Sequence, residues 1–386
     1  MVADSFSLGR KDIVVVSILS MLIPITYNLT KIALPLKLVD VGFSKGIIIL
    51  PIMIGNFFQV FFRPLFGFMA EKYGHRKFII LAPTLYSLAF IIIAFSRSTY
   101  EISLGIILLG LAISMFWSSF LAYSSYIHPR DISISLGHVL AISYIGAMVG
   151  TIFSGYTFEY YGSKYVFYVS SVLGLLATMV AFFLTPVVGG GEVELKKVLE
   201  VINVNMTDII LNVNIISMLS IVNTYAPIIL IESGISPTLT GILMLFLPLM
   251  SAVMQYLGGI LYVKIIRYKT VINISALIML IIFAFVPYIQ NIFVSIAAFI
   301  LYSILSSLLF TPQLSKSVDT SEEMRAVGTG GFGAGMALSR TVASTLSLIG
   351  GYVADIGLVG VSSPSLAIVV PSLSFIVISI IGSRRK

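Results

Sequence analysis

Twelve apolar runs, each long enough to cross a hydrocarbon layer as a helix, constrain this chain more than any other feature. They fall at 12–37, 44–70, 77–96, 101–127, 132–159, 164–186, 206–231, 237–263, 270–288, 291–314, 325–355 and 363–382. About 20 apolar residues are needed per crossing. The runs are continuous rather than alternating, which excludes a transmembrane β-barrel. A water-soluble alternative fails on composition: 58% of the 386 residues are hydrophobic and 10% are charged, with a mean hydropathy of +1.06. That leaves too little polar side chain to cover an exterior. Several runs exceed the minimum span, so tilted or curved helices are expected.

The few charges carry the topology. With the N-terminus inside, sixteen Lys and Arg fall in inner segments and four in outer ones, while Lys31, Arg63 and Arg340 lie within apolar runs. Cations collect on the cytoplasmic side of membrane proteins, so both termini are expected in the cytoplasm and the chain in the cell membrane. The same bias explains the net charge of +7 without invoking nucleic acid. The first eleven residues are polar and no small-residue cleavage site follows the first run, which reads as a retained helix rather than a signal peptide. No cysteine is present, which excludes disulfides, thiolate metal sites and cysteine nucleophiles. No metal or cofactor is expected: the three His are scattered, and no nucleophile–base pair or phosphate loop appears. An enzyme is therefore not expected. Gly328-Thr-Gly330-Gly-Phe-Gly333 follows no strand, so close helix packing explains it better than a dinucleotide site.

The longest polar interruption, Gly189 to Asn205, divides the chain into 1–188 and 206–386, with 189–205 as a cytoplasmic linker. The halves are related. Pro35-Leu-Lys-Leu-Val-Asp40-Val-Gly42-Phe-Ser44 matches Pro227-Ile-Ile-Leu-Ile-Glu232-Ser-Gly234-Ile-Ser236, and Gly155-Tyr156-Thr-Phe-Glu159 matches Gly351-Tyr352-Val-Ala-Asp355. Gly67 and Lys72 fall opposite Gly259 and Lys264, so the offset stays between 192 and 196 across six runs. A parallel six-plus-six repeat implies two pseudo-symmetric bundles, with a substrate path where they meet. The expected fold is thus an all-α membrane protein of twelve transmembrane helices in two six-helix bundles.

Between the second and third runs lies Gly67-Phe-Met-Ala-Glu71-Lys72-Tyr-Gly74-His-Arg76-Lys77, the densest charge cluster in the chain. It resembles the signature loop of major facilitator superfamily transporters, roughly Gly-x-Leu-Ala-Asp-Arg-Phe-Gly-Arg-Arg/Lys, with Glu71 for Asp and Lys72 for Arg. In that family the acid faces the N-terminal end of the eleventh helix, here near Arg325. There an anion is favoured by about 0.3–1 kcal/mol. The resemblance implies a latch that forms when the cytoplasmic side closes. The repeat mate of Glu71 is Val263, so the latch should be one-sided. Gly146-Ala-Met-Val-Gly150-Thr151-Ile-Phe-Ser154-Gly155 resembles the family's fifth-helix motif, which is commoner among exporters. Here Thr151 stands in place of its proline, and close helix packing explains the same glycines.

The family resemblance also places the cavity between the first, fourth, seventh and tenth helices. Each carries a polar seam at helical spacing: Ser20, Tyr27 and Lys31; Ser114, Ser118 and Ser125; Asn212 and Asn223; Tyr302, Ser306 and Gln313. Trp117, the one tryptophan, is a candidate stacking surface or a core residue. Arg340 falls midway along the eleventh run, where facing lipid would cost at least about 2.5–3.5 kcal/mol. It should face the cavity or a partner, and no equally deep acid is available to neutralise it. An organic anion would do so, with Lys31 as a second cation unless it snorkels outward. Arg63 reads as structural or gating, and His138 as a packing histidine. The expectation is a monomeric secondary transporter working by alternating access on a small organic anion or metabolite. The alternatives are a drug-type amphiphile exporter and, from another class, a non-transporting sensor on the same fold. Import or export and the coupling ion are left open.

Overall fold

The computed structural model describes residues 8–127, 131–187, 214–261, 265, 269–285, 292–319, 324–357, 360 and 362–383. The described residues form helices and connections, with no strand among them. The first half contains α1 (Arg10–Leu29), α2 (Ala33–Asp40), α3 (Ile49–Tyr73), α4 (His75–Phe95), α5 (Thr99–Ser124), α6 (Ile132–Tyr161) and α7 (Ser163–Ala181). The second contains α8 (Asn214–Glu232), α9 (Pro237–Met244), α10 (Phe246–Ile260), α11 (Lys269–Ala284), α12 (Ile292–Asp319), α13 (Arg325–Asp355) and α14 (Ser363–Ser383).

Two crossings are broken helices. Pro35 removes the amide that would bond the Lys31 carbonyl, so the chain turns at Thr30–Ile32 between α1 and α2. Pro248 acts likewise on the Met244 carbonyl and separates α9 from α10. Counting each broken pair once gives the twelve crossings expected. Their limits agree with the apolar runs to within five residues, save the start of 206–231, which lies outside the described residues. Seven are long and apolar enough, as described, to span a membrane. The linker 189–205 also lies outside the described residues.

Local chemistry sets the helix ends. Ser98 and Glu101 form a capping box at α5, and Ser236 caps α9 with Pro237 at its first position. Gly42 and its repeat mate Gly234 both adopt positive φ, 106° and 85°, and end α2 and α8 alike. The repeat seen in sequence is therefore a repeat in backbone conformation.

The bundles meet along two seams. On one, α3 and α5 pack against α13; on the other, α6 packs against α9 and α10. Each seam joins the second helix of one repeat to the fifth of the other, as a pseudo-twofold axis requires. Water drives no helix association inside lipid, so close backbone packing must hold the seams. A side chain at Gly67 would strike the Ala326 carbonyl, and one at Gly330 would meet the Arg63 backbone. Gly137 lies on Gly259, and Gly155 on the Pro237 carbonyl. Gly328–Gly333 is thus a packing stripe on α13. The outer face of α7, with Val172 and Met179 exposed, is apolar as lipid contact demands.

Candidate functional site

At the end carrying the Gly67–Lys77 loop, called here the motif end, Gly74 turns the chain at φ 94° between α3 and α4. Glu71 is 2% exposed and its Oε1 accepts the Ala326 amide at 2.6 Å, inside the first turn of α13. Its Oε2 lies 3.7 Å from Nε2 of buried His75. Beside it, Arg325 donates to the Ser125 carbonyl and hydroxyl, both at 3.0 Å, and stacks 4.6 Å from the Tyr126 ring centroid. Only Gly67 and Glu71 of the loop's six assigned residues touch the other bundle in these ways. Arg76 donates to the Phe182 carbonyl at 2.6 Å and braces its own bundle. Lys72 and Lys77 are exposed, with Lys72 Nζ 5.5 Å from the Tyr73 ring. Val263 and Lys264 lie outside the described residues.

The far end carries a second set of latches. Glu159 Oε2 at the end of α6 accepts the Thr238 amide at 2.8 Å, in the first turn of α9. Asp355 Oδ2 at the end of α13 accepts the Gly46 amide at 3.1 Å and the Ser44 hydroxyl at 2.7 Å, just before α3. Glu159 and Asp355 are repeat mates, as are Thr238 and Gly46. Lys45 pairs with Glu232, and the Tyr225 hydroxyl donates to the Gly46 carbonyl at 3.2 Å. Glu159 and Asp355 close the apolar runs 132–159 and 325–355 and carried no expected role.

Between the two ends lies a cavity of about 80 Å³. Tyr27 and Lys31 line it from the broken first crossing, Asn56 and Gln59 from α3, Ile106 and Ile113 from α5, and Asn223 and Thr224 from α8. Toward the seam, Arg340 lies within electrostatic range of the hydroxyls of Tyr27, Tyr144 and Tyr302 and of Arg63. The Arg63 guanidinium rests against Gly333. Tyr27 therefore joins the cavity to the arginines. Among the described residues, the two buried acids, Asp12 and Glu71, are engaged elsewhere. Asp12 accepts from Tyr123 and Thr185.

The structure groups the assigned residues differently from the expected four-helix lining. Lys31, Tyr27 and Asn223 border the cavity, Lys31 from the helix break between α1 and α2. Tyr302 is buried in the arginine cluster, while Gln313 is buried further along α12 and outside the lining. Asn212 lies outside the described residues. Trp117 is also outside the lining and packs edge-on to Phe116, with centroids 5.3 Å apart. The serine seam of α5 serves helix–helix bonding: Ser118 donates to the Arg63 carbonyl and Ser125 receives Arg325. The second crossing supplies Asn56 and Gln59, which were not assigned from sequence, beside Arg63, expected to be structural or gating. Their i, i+3, i+7 spacing was legible, yet weight on four other helices hid it. Gly146 and Gly150 pack on the Met21 and Ile25 backbones of α1. Thr151 bonds back to the Ala147 carbonyl at 2.8 Å, and α6 runs unbroken. His138 is exposed on α6, contrary to the packing expectation.

Two six-helix bundles closing from both ends on an interior cavity, lined in part by polar side chains, define a membrane carrier. Residues 16–344 match the family model of the Major Facilitator Superfamily, and the chain belongs to that family. Over 125 residues, 31% of its length, it is 31% identical to solute carrier family 2, facilitated glucose transporter member 12, from Macaca fascicularis and from Homo sapiens. The match spans only 20% of those relatives. Among solved structures it resembles the human organic anion transporter MFSD10 (TETRAN), with TM-score 0.67 and 14% identity over 96% of this chain and 98% of that one. It also resembles the nucleoside transporter NupG, with TM-score 0.71 and 13% identity over the same shares. At such identities the likeness is one of fold.

Proposed function

We propose that this chain is a secondary transporter that carries a small organic anion across the cell membrane by alternating access. In this reading it works as a monomer with both termini cytoplasmic, so the motif end faces the cytoplasm. One observation carries the choice of cargo: Lys31, Arg63 and Arg340 face the interior, and among the described residues no carboxylate there answers them. Uncompensated cations in a low-dielectric site are costly, and an anion with bidentate acceptors neutralises them. The paired latches support alternating access, since each closes one end and each can release while the other holds. Neither neighbour's cargo transfers at 13–14% identity, so the reading rests on this chain's own charges.

Uptake of labelled organic anions into proteoliposomes tests the proposal. Arg340→Ala is expected to reduce anion flux by about tenfold or more, as loss of a charged hydrogen-bond partner implies. Undiminished flux would reject the anion site. Transport of neutral or cationic amphiphiles instead would favour a drug-type exporter.

A further inference from the structure

The two arginines belong to opposite bundles, Arg63 to α3 and Arg340 to α13, and Arg63 lies within range of the Arg340 charge. Arg63 is 8% exposed, and Nε of both side chains is buried without a hydrogen-bond partner. Arg63 lies against Gly333, two turns before Arg340 on the same face of α13. A side chain at position 333 would displace the guanidinium, so the glycine opens the path by which it reaches the second bundle.

The approach from the cavity is polar as well. Asn56, Gln59 and Arg63 form one face of α3, and both amides line the cavity. Gln59 Nε2 donates to Asn56 Oδ1 at 3.3 Å, which leaves Asn56 Nδ2 and Gln59 Oε1 unpartnered. The groups within electrostatic range of the pair are tyrosines, Tyr27, Tyr86, Tyr144 and Tyr302.

Two like charges facing each other across a movable seam oppose its closure. A monoanion neutralises one of them and leaves the other buried and uncompensated. A dianion neutralises both, with bidentate geometry available at each guanidinium. We infer, building on the anion reading above, that the cargo is a small dianion, a dicarboxylate or a phosphomonoester, whose two charges bridge Arg63 and Arg340. The bridge draws α3 and α13 together, so bound cargo favours the closed seam. Arg63 is then a charge-counting residue, and Arg340 holds the first anionic group.

The test uses the purified full-length chain and matched ligands that differ by one charge. Succinate is compared with butyrate, and phenyl phosphate with its methyl ester, by thermal shift and direct binding. Each dianion is expected to bind about tenfold tighter than its monoanion, as one extra charged pairing implies. Arg63→Gln should collapse that ratio toward one by weakening the dianion more than the monoanion; Arg63→Lys should retain it. Equal affinities within both pairs in the unmodified protein would overturn the inference. So would an Arg63→Gln effect that weakens both charge classes equally, since that marks a merely structural residue.

If Arg63→Gln does not fold, the unmodified protein still decides. A phosphomonoester gains its second charge near pH 6. Phenyl phosphate should therefore bind more tightly as pH rises from about 5 to about 7.5, while its methyl ester should not. Parallel pH profiles for the two would reject the dianion. Binding of neither charge class would reject the anion reading itself, and the bridge with it.

Discussion

The far end and the motif end are closed by the same chemistry in different surroundings. At the far end, Glu159 and Asp355 are repeat mates that accept amides from repeat-mate partners, and both carboxylates lie on exposed residues. At the motif end, Glu71 is buried and accepts a single amide. Its mate position holds Val263. Water and salt screen the exposed latches, whereas a buried charge-assisted bond keeps most of its strength and penalises loss of either partner. Duplication thus left two modest latches on one side. Divergence concentrated the closing energy of the other in one carboxylate braced by the Arg325–Tyr126 stack.

Glu71→Ala should break the comparison most severely. It strips the Ala326 amide of its acceptor inside the seam, which costs about 1.5–3 kcal/mol for a bond to a charged group. We expect the motif end to open by about tenfold or more in population. The chain lacks cysteine, so spin labels on Lys72→Cys and Asp319→Cys report that opening without background. An unchanged distance distribution would mean that Glu71 does not hold this end.

Gly67→Val attacks the same end sterically. The added carbons collide with the Ala326 carbonyl, and overpacking of this kind costs about 1–3 kcal/mol. Its far-end counterpart is Gly46→Val, which meets the Gly351 backbone and the Asp355 carboxylate. The two substitutions should widen opposite ends. If both widen the same end, the seam does not pivot between the two closures.

Neutralising the far-end carboxylates should do less. Glu159→Gln and Asp355→Asn are each expected to shift far-end opening by about two- to fivefold, as for an anion at an exposed helix start. Labels on Arg97→Cys and Ser233→Cys would read it. The two effects should be similar, because the latches are mates, and should fade between about 0.05 and about 0.5 M salt. The Glu71→Ala effect should persist there. A salt-insensitive far end would erase the distinction between screened and buried latches.

Much of this was legible in the sequence, and the rest was hidden for physical reasons. The run 325–355 coincides with α13 because lipid demands a continuous apolar helix between charged ends. Glu71 could be assigned because its whole loop is patterned. Glu159 and Asp355 could not, since an acid at a helix end reads as a solvated terminus unless its partner is known. Those partners lie 79 and 309 residues away. Trp117 was overvalued because rarity says nothing of which way a ring points. Arg63 was undervalued because its importance lies across the seam, in the space that Gly333 leaves open. Sequence periodicity assigns a residue to a face of its own helix. Only packing says what that face meets.

The Lys45–Glu232 pair should matter least. It joins the two bundles directly, but its side chains are 50% and 41% exposed. Exposed pairs contribute between roughly 0 and 1 kcal/mol, and here solvent screening favours the lower part of that range. Lys45→Gln should therefore shift far-end opening by no more than about twofold at low salt and not measurably at high salt. A larger effect would identify the ion pair, rather than the mated carboxylates, as the main far-end closure. The symmetry between Glu159 and Asp355 would then record the repeat's history without setting the energetics of that end.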